Sequence, residues 1–416
     1  MTDNTTLFDP GQALERVEAH LDGLQAFWVA RGIDPAGGYH TVFDRDGMIM
    51  PTRVKSLIAQ TRILWTYASL ARLRGDESLL EMADHGFAFL VHQFLDSERG
   101  GWFWSVDESG VRDPAKLMYG QSFALYALVA YARASGDGAA HDLALATFEE
   151  MHKAADVADG GFWENLDASW APEPTESGRR KSLDIHMHLL ESFTALAALT
   201  GDPTHRRRLD EVRRLILGKM IEPVGGTGGN QYAGDFTPCE PIVIDRTWIA
   251  ERTTDARAPG HFTTSYGHNL ELGWLLGDAD EVLDGDRGRH AGLTDHMAEH
   301  ALGFGFDHEL GGVYREGPPD APATDTDKEF WQNAEALIGF LHAYELTGKT
   351  AYADAFAGTW AFAERHLIHP SLHEWRIRTT RTGEPVDDSL GNQWTGGYHT
   401  VRAAMECRRR LSRLVG

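Results

Sequence analysis

Apolar residues recur at helical spacing in twelve segments of the chain: 11–32, 53–74, 77–95, 118–135, 137–154, 182–200, 203–222, 263–276, 280–303, 328–347, 349–368 and 392–413. No interior proline interrupts them. Two kinds of break separate the segments. Five are short turns: Arg74-Gly75-Asp76, Ser135-Gly136-Asp137, Thr200-Gly201-Asp202, Leu276-Gly277-Asp278 and Thr347-Gly348-Lys349. Five are longer loops, carrying Gly37-Gly38-Tyr39, Gly100-Gly101-Trp102, Gly160-Gly161-Phe162, Gly228-Gly229-Asn230-Gln231-Tyr232 and Gly311-Gly312-Val313-Tyr314. A sixth loop, around Glu374-Trp375, lacks the glycines. In the short turns, Gly suits a left-handed helix C-terminus and the Asp after it suits the next N-cap. Alternation this regular is an internal repeat of helical hairpins.

The two helices of each pair differ in pattern. The seventh carries His205, Arg206, Arg207, Arg208, Arg213 and Arg214, a solvated outer face. The fourth, Met118 to Ala134, is apolar nearly all round and should be buried on most sides. Even helices therefore form an inner ring and odd helices an outer one. The expected fold is all-α: an (α/α)6 barrel of six hairpins, one domain over residues 1–416, with short β-hairpin-like loops at one mouth. An open solenoid is the alternative, but it would want a more uniform period and polar end caps.

Composition narrows the class. A net charge of −23 argues against nucleic-acid or anionic-membrane partners. Met1 to Pro10 has no basic start and no apolar core, and no apolar run is long enough to span a membrane. A cytoplasmic protein, monomer or weak homodimer, is expected. Two cysteines, Cys239 and Cys407, make neither a disulfide framework nor a metal cluster.

Uncommon polar residues gather where the inner helices begin. These are Gln60 and Arg62 beside Trp65; Tyr119 and Gln121; His186 and His188, followed by Glu191; His268 and Glu271; Trp331 and Glu335; and Trp394 with Tyr398 and His399. Most of the 20 histidines must be surface residues, and His205, His290, His296 and His300 read that way. Histidines at equivalent positions of three inner helices are harder to assign to packing. His268 and Glu271, one turn apart, share a helix face. Trp65, Trp331, Trp394 and Tyr119 offer flat rings that match a pyranose face. No zinc-type spacing is present, so no metal is expected. No glycine pair sits in a phosphate-binding context.

These motifs resemble the N-acylglucosamine 2-epimerase superfamily, within it the branch of cellobiose and mannose 2-epimerases. The marks are Lys116-Leu117-Met118-Tyr119-Gly120-Gln121, Met187-His188-Leu189-Leu190-Glu191, Tyr266-Gly267-His268-Asn269-Leu270-Glu271, Trp331-Gln332-Asn333-Ala334-Glu335-Ala336 and Trp394-Thr395-Gly396-Gly397-Tyr398-His399. They occur in order, and the resemblance runs from about residue 20 to the C-terminus. The resemblance implies an (α/α)6 barrel and chemistry at C2 of a sugar without a cofactor. It implies His268 and His399 as the acid/base pair, His188 in ring opening or positioning, and Arg62 on the reacting oxygens. Glu271 would orient its neighbouring histidine. Trp331 and Trp394 would stack on the sugar, with Tyr119, Gln121, His186 and Glu335 completing the binding set. Two departures touch the pocket: Thr395-Gly396-Gly397 stands where cellobiose epimerases usually have Lys-Cys-Pro, and Asp184-Ile185-His186 where they usually have Asn-Thr-His. Disaccharide specificity is therefore not implied.

The residue types suit that chemistry independently. An aldose C2 proton is acidic only beside an open-chain carbonyl, and histidine is the natural base near neutral pH. Two opposed histidines permit epimerisation, and one shuttling between C2 and C1 permits aldose–ketose isomerisation. A glycoside hydrolase would need two carboxylates about one bond, which Glu271 and Glu335 could supply, but would leave the histidines without a role. A non-catalytic sugar-binding protein would not need both His268 and His399.

Overall fold

The helices are α1 (Pro10–Arg31), α2 (Leu57–Arg74), α3 (Glu77–Gln93), α4 (Met118–Ser135), α5 (Gly138–Met151), α6 (Leu183–Thr200), α7 (Pro203–Leu215), α8 (Tyr266–Asp284), α9 (Ala291–His300), α10 (Phe330–Thr347), α11 (Thr350–Phe362) and α12 (Tyr398–Val415). The computed structural model describes residues 8–223, 225–239 and 263–416. Residues 1–7, most of the segment read for a leader, lie outside them. Contacts run α2–α4–α6–α8–α10–α12 and back to α2, so the even helices close a ring. Each odd helix packs outside it, α1 against α12 and the others against the even helices beside them. This is the (α/α)6 barrel that the alternation predicts, and closure excludes the solenoid. The inner helices are buried on nearly every side; in α2 the run Leu57–Ala68 is entirely buried.

The short turns follow their predicted chemistry, with one exception. Gly75, Gly136, Gly201 and Gly348 are left-handed C-caps with φ of 65° to 70°. Asp76, Asp137 and Asp202 cap the next helices through their side chains. The exception is Leu276-Gly277-Asp278, which lies inside α8; the cap is Gly285, at φ 68°. Gly277 is small for a different reason: a Cβ there would lie 2.7 Å from His342 Nε2, so it lets α8 approach α10. Asp280, read as the start of the next helix, is buried and accepts from Arg213 at 2.6 Å. Arg213 is thus buried within the face of α7 that its charges mark as solvated. His205 and His300, read as surface residues, are also buried, against Thr200 Oγ1 at 2.7 Å and the Pro319 carbonyl at 2.8 Å.

At the opposite mouth, short strands tie neighbouring repeats. Lys55–Ser56 pairs with Ser105–Asp107, Arg180–Ser182 with Gln231–Ala233, Thr264–Ser265 with Glu316–Gly317, and Lys328–Glu329 with Arg378–Thr379. The glycine loops are fastened by side chains from the first turn of the inner helices. Gln60, Gln121, His186, Asn269 and Asn333 each accept the amide N–H of Tyr39, Trp102, Phe162, Gly228 and Val313, at 2.8 to 3.1 Å. Gln60, Gln121 and Asn333 also donate back to the same residue's carbonyl. This explains the paired glycines. A Cβ on Gly101 (φ 72°) would lie 2.9 Å from Gln121 Oε1, and one on Gly161 (φ 75°) 2.7 Å from His186 Nε2.

The fourth loop aligns through Gly225-Gly226-Thr227-Gly228 rather than the expected Gly228-Gly229: Ile221 bridges Gly228 as Leu95 bridges Trp102. In the sixth loop Glu374 Oε1 itself accepts the Trp375 amide at 2.9 Å, and His373 takes the left-handed turn at φ 64°. Buried lysines complete the fastening, Lys116 to Asp96, Lys181 to Asp156 and Lys328 to Asp307.

Candidate active site

A closed circuit of contacts lies among the inner helices at the long-loop mouth. Arg62 Nη2 donates to Tyr119 Oη at 2.9 Å, and Tyr119 Oη lies 3.4 Å from His188 Nε2. His188 Nε2 and His268 Nε2 face the same atom, Asp184 Oδ1, at 3.2 and 3.6 Å. The His268 ring packs on Trp331 at 4.6 Å between centroids, and Trp331 packs on His399 at 5.7 Å. His399 meets Tyr398 at 4.7 Å, and the Arg62 guanidinium sits over Tyr398 at 5.0 Å, closing the circuit. Trp394 joins from the loop before α12, 6.0 Å from Tyr119, and its carbonyl accepts from Arg62. His399 is 5 % exposed and His188 2 %, whereas the His268 side chain is 20 % exposed.

Behind this circuit lies a buried ionic hub that the sequence reading left out. Arg402, one turn beyond Tyr398 on α12, bonds Glu191, Glu271, Tyr398 and, at 2.7 Å, Glu335. Tyr398 donates to Glu191 at 2.6 Å. Two of the carboxylates support different histidines of the circuit. Glu191 Oε2 accepts from His188 Nδ1 at 3.1 Å, and Glu335 Oε1 accepts from His399 Nδ1 at 2.8 Å. Glu335, expected on the sugar, is thus behind a histidine. Glu271, expected to orient His268, bonds Arg402 instead, and the acid beside His268 is Asp184. Glu271 Oε2 and Arg62 Nε are buried without a hydrogen-bond partner among the described residues. The signal for Arg402 was present: an arginine at i+4 from Tyr398 and i+3 from His399 must share their buried face.

The environment divides the histidines by charge. Burial opposes a charged His188, but hydrogen bonds to Asp184 and Glu191 and the charge of Glu271 outweigh it and push it up to about 9. Burial, with Arg62 and Arg402 facing it, holds His399 well below the ordinary imidazole range. His399 is therefore neutral near pH 7; its Nδ1–H is held by Glu335, so Nε2 carries the basic lone pair. Burial and the neighbouring Glu335 push Glu271 up to about 7 against the pull of Arg402. Asp184 and Glu191 are each brought down to about 2, their burial outweighed by histidine and arginine neighbours. Glu271, Glu335 and His399 offer ligand atoms within 4.8 Å of one another, but Arg402 already bonds both carboxylates there as their cation.

Two predicted binding residues do not reach this space. Gln121 and His186 are fully buried loop fasteners: Gln121 bonds Trp102 with both ends of its amide, and His186 bonds the Phe162 amide through Nε2 and the Ser182 carbonyl through Nδ1. Trp65 sits deeper, stacked on Tyr126 at 5.6 Å. A surface concavity at the short-turn end, lined by Asp22, Gln25, Arg74 and Glu77, contains no histidine or aromatic ring.

The chain is similar along its length to proteins of known kind. Cellobiose 2-epimerase of Bacteroides fragilis is 28 % identical over 392 residues, covering 91 % of this chain and 94 % of that protein. D-mannose isomerase of Marinomonas mediterranea is 22 % identical, covering 95 % and 97 %. The structure of cellobiose 2-epimerase from Spirochaeta thermophila superposes with a TM-score of 0.85 at 28 % identity, covering all of both chains. Among the described residues no helix is long and apolar enough to cross a membrane. Residues 37–403 match the N-acylglucosamine 2-epimerase (GlcNAc 2-epimerase) family, and the chain belongs to that family of sugar epimerases and isomerases.

Proposed function

We propose that this isomerase acts without a cofactor at C2 of a reducing aldose of the glucose/mannose type, free or at the end of a disaccharide, and inverts that centre. The observation that carries the reading is the closed circuit, in which His268 and His399 flank one indole and share a space with Arg62 and His188. His188, charged and beside Tyr119, donates a proton to the ring oxygen as its bond to C1 breaks, the O1 hydroxyl releases its proton to solvent as the C1 carbonyl forms, and ring closure reverses both transfers. Neutral His399 takes the C2 proton. The electron pair left on C2 moves through C1 to O1, giving a cis-enediolate whose charge Arg62 stabilises. His268, as the general acid, then delivers a proton to the other face of C2, and the C1 carbonyl re-forms. The product closes to the epimer, and one proton moves from His399 to His268 through solvent before the next turnover. Trp331 and Trp394 hold the sugar faces. This reading places the enzyme in the cytoplasm.

Aldose–ketose isomerisation shares the enediolate and differs only in where the proton returns. A D-mannose isomerase among the relatives, matched over 95 % of this chain, favours keeping it as the second reading. Incubation with mannose, glucose, fructose and cellobiose in heavy water, followed by NMR, separates the two. The expected result is a C2 epimer with deuterium at C2. A ketose labelled at C1 replaces the first reading by the second, and no exchange with any aldose removes both.

A further inference from the structure

The N-cap positions of the inner helices are equivalent in the repeat. Ser56, Ser182 and Ser265 each cap their helix, their side chains accepting the amides of Ala59, Ile185 and His268 at 3.2 to 3.3 Å. Glu329 holds the same position in α10 and makes no capping bond. Its carboxylate turns instead to the site. Oε2 accepts Trp331 Nε1–H at 3.0 Å and Gln332 Nε2–H at 3.4 Å, and pairs with Arg315 Nε at 3.2 Å. Arg315 is itself fixed by Asp325 at 2.6 Å. Glu329 also lies in the strand pair with Arg378, which holds its backbone on one side.

The indole so gripped is the wall shared by His268 and His399. Turning it about its Cβ–Cγ bond would change its plane against both imidazoles. We infer that Glu329 is a positioning residue: braced by Arg315, it locks the Trp331 indole and so sets the plane on which the sugar ring rests between the two histidines. This rests on the reading of Trp331 as a sugar platform. It also accounts for the missing cap, since a carboxylate reaching the indole cannot also accept the first-turn amides.

The test uses three substitutions in the full chain. Glu329→Ser supplies the cap residue found in α2, α6 and α8 and removes the indole's acceptor, so a loss of folding does not obscure it. Glu329→Gln keeps an acceptor oxygen, and Trp331→Phe keeps a ring without the N–H. Glu329→Ser should melt close to wild type and lose about tenfold in kcat/KM, mainly through KM, the scale of one hydrogen bond to a charged group. Glu329→Gln should keep most activity. In the Trp331→Phe background Glu329→Ser should add little. An unchanged KM in Glu329→Ser, or an undiminished effect in the Phe background, overturns the inference. A second readout needs no turnover. The Trp331 indole N–H resonance, assigned by its absence in Trp331→Phe, should shift and exchange faster with solvent in Glu329→Ser. If it does not move, Glu329 does not hold the ring. A wild type inert towards every sugar would refute the proposed function, and the indole resonance would still decide the positioning claim.

Discussion

Two faces of the same helical turns do different work in this barrel. Counted from the N-cap, the fourth residue of five inner helices is Gln60, Gln121, His186, Asn269 or Asn333, and each is turned to a loop. Two residues before or after it stand Tyr119, Asp184 and Trp331, or Arg62, His188, Glu271 and Glu335, all members of the circuit or its hub; His399 holds the corresponding second position of α12, and His268 the third position of α8. At about 100° per residue, the second and sixth positions both point some 160° from the fourth and nearly share a direction. One helix end thus supplies scaffold on one side and chemistry on the other. Being polar and near the mouth is not enough to make a site residue; the face decides.

The strongest way to break this comparison is to make one substitution on both faces. His186→Asn should be tolerated, because Asn269 and Asn333 do the same fastening at the equivalent positions of α8 and α10. His399→Asn should lose about 10² to 10⁴ in kcat with the fold intact, the usual scale for one general acid/base. Steady-state rates with the sugar identified by NMR, beside circular dichroism melts, would read both. A folded His399→Asn keeping more than a tenth of activity, or an inert but folded His186→Asn, would dissolve the distinction.

Next in size is the hub. Arg402→Met removes the cation from among Glu191, Glu271 and Glu335, all buried. Breaking a buried ion pair from one side costs about 3 to 5 kcal/mol, because the stranded charges stay in a medium that cannot solvate them. The urea midpoint should fall accordingly. A variant as stable as wild type would mean that the three carboxylates need no counter-charge.

How much of this was legible in the sequence follows from the same geometry. The hairpin repeat, the inner and outer rings and the gathering of His188, His268, His399, Arg62 and Trp331 at one mouth could be read because helical period and glycine placement are local signals. Gly277 misled because a glycine needed for close helix packing looks like one needed for a left-handed cap. Gln121 and His186 misled because nearness to the mouth was read without the helix face. The burial of Arg402 could be read from its spacing to Tyr398 and His399, but its partners could not: which carboxylate meets which cation depends on α6, α8, α10 and α12 converging across the barrel, and no spacing within one helix encodes that.

A smaller effect sharpens the scaffold side. Gln121→Leu keeps the bulk but leaves the Trp102 N–H and C=O without their partner inside the protein. Buried unsatisfied groups of this kind cost about 1 to 3 kcal/mol each, less where the loop can open to water. The melting temperature should drop while KM stays near that of wild type. A large KM rise with unchanged stability would return Gln121 to the binding set.

The smallest expected effect is a pH dependence, and its sign is fixed by His188. Its folded-state proton is held to about 9 against an ordinary value of 6.5, by Asp184 and Glu191 on its own helix and by Glu271 on α8, against the burial that opposes it. A group raised on folding adds stability that is complete below its unfolded value and disappears as pH climbs through its folded one. The His188 contribution should therefore be full at pH 6.5 and below, and gone above about 9. Other groups titrate in the same range, Glu271 near 7 among them. The useful quantity is thus the difference in melting temperature between wild type and His188→Asn, in which groups common to both largely cancel. That difference should shrink steadily from pH 6.5 to 9. Turnover by the wild type should fade over the upper part of the same window if the charged ring is needed for opening the sugar. A difference that stays flat or widens as pH rises would show that His188 is neutral in the folded protein, and the division of charge between it and His399 would fail with it.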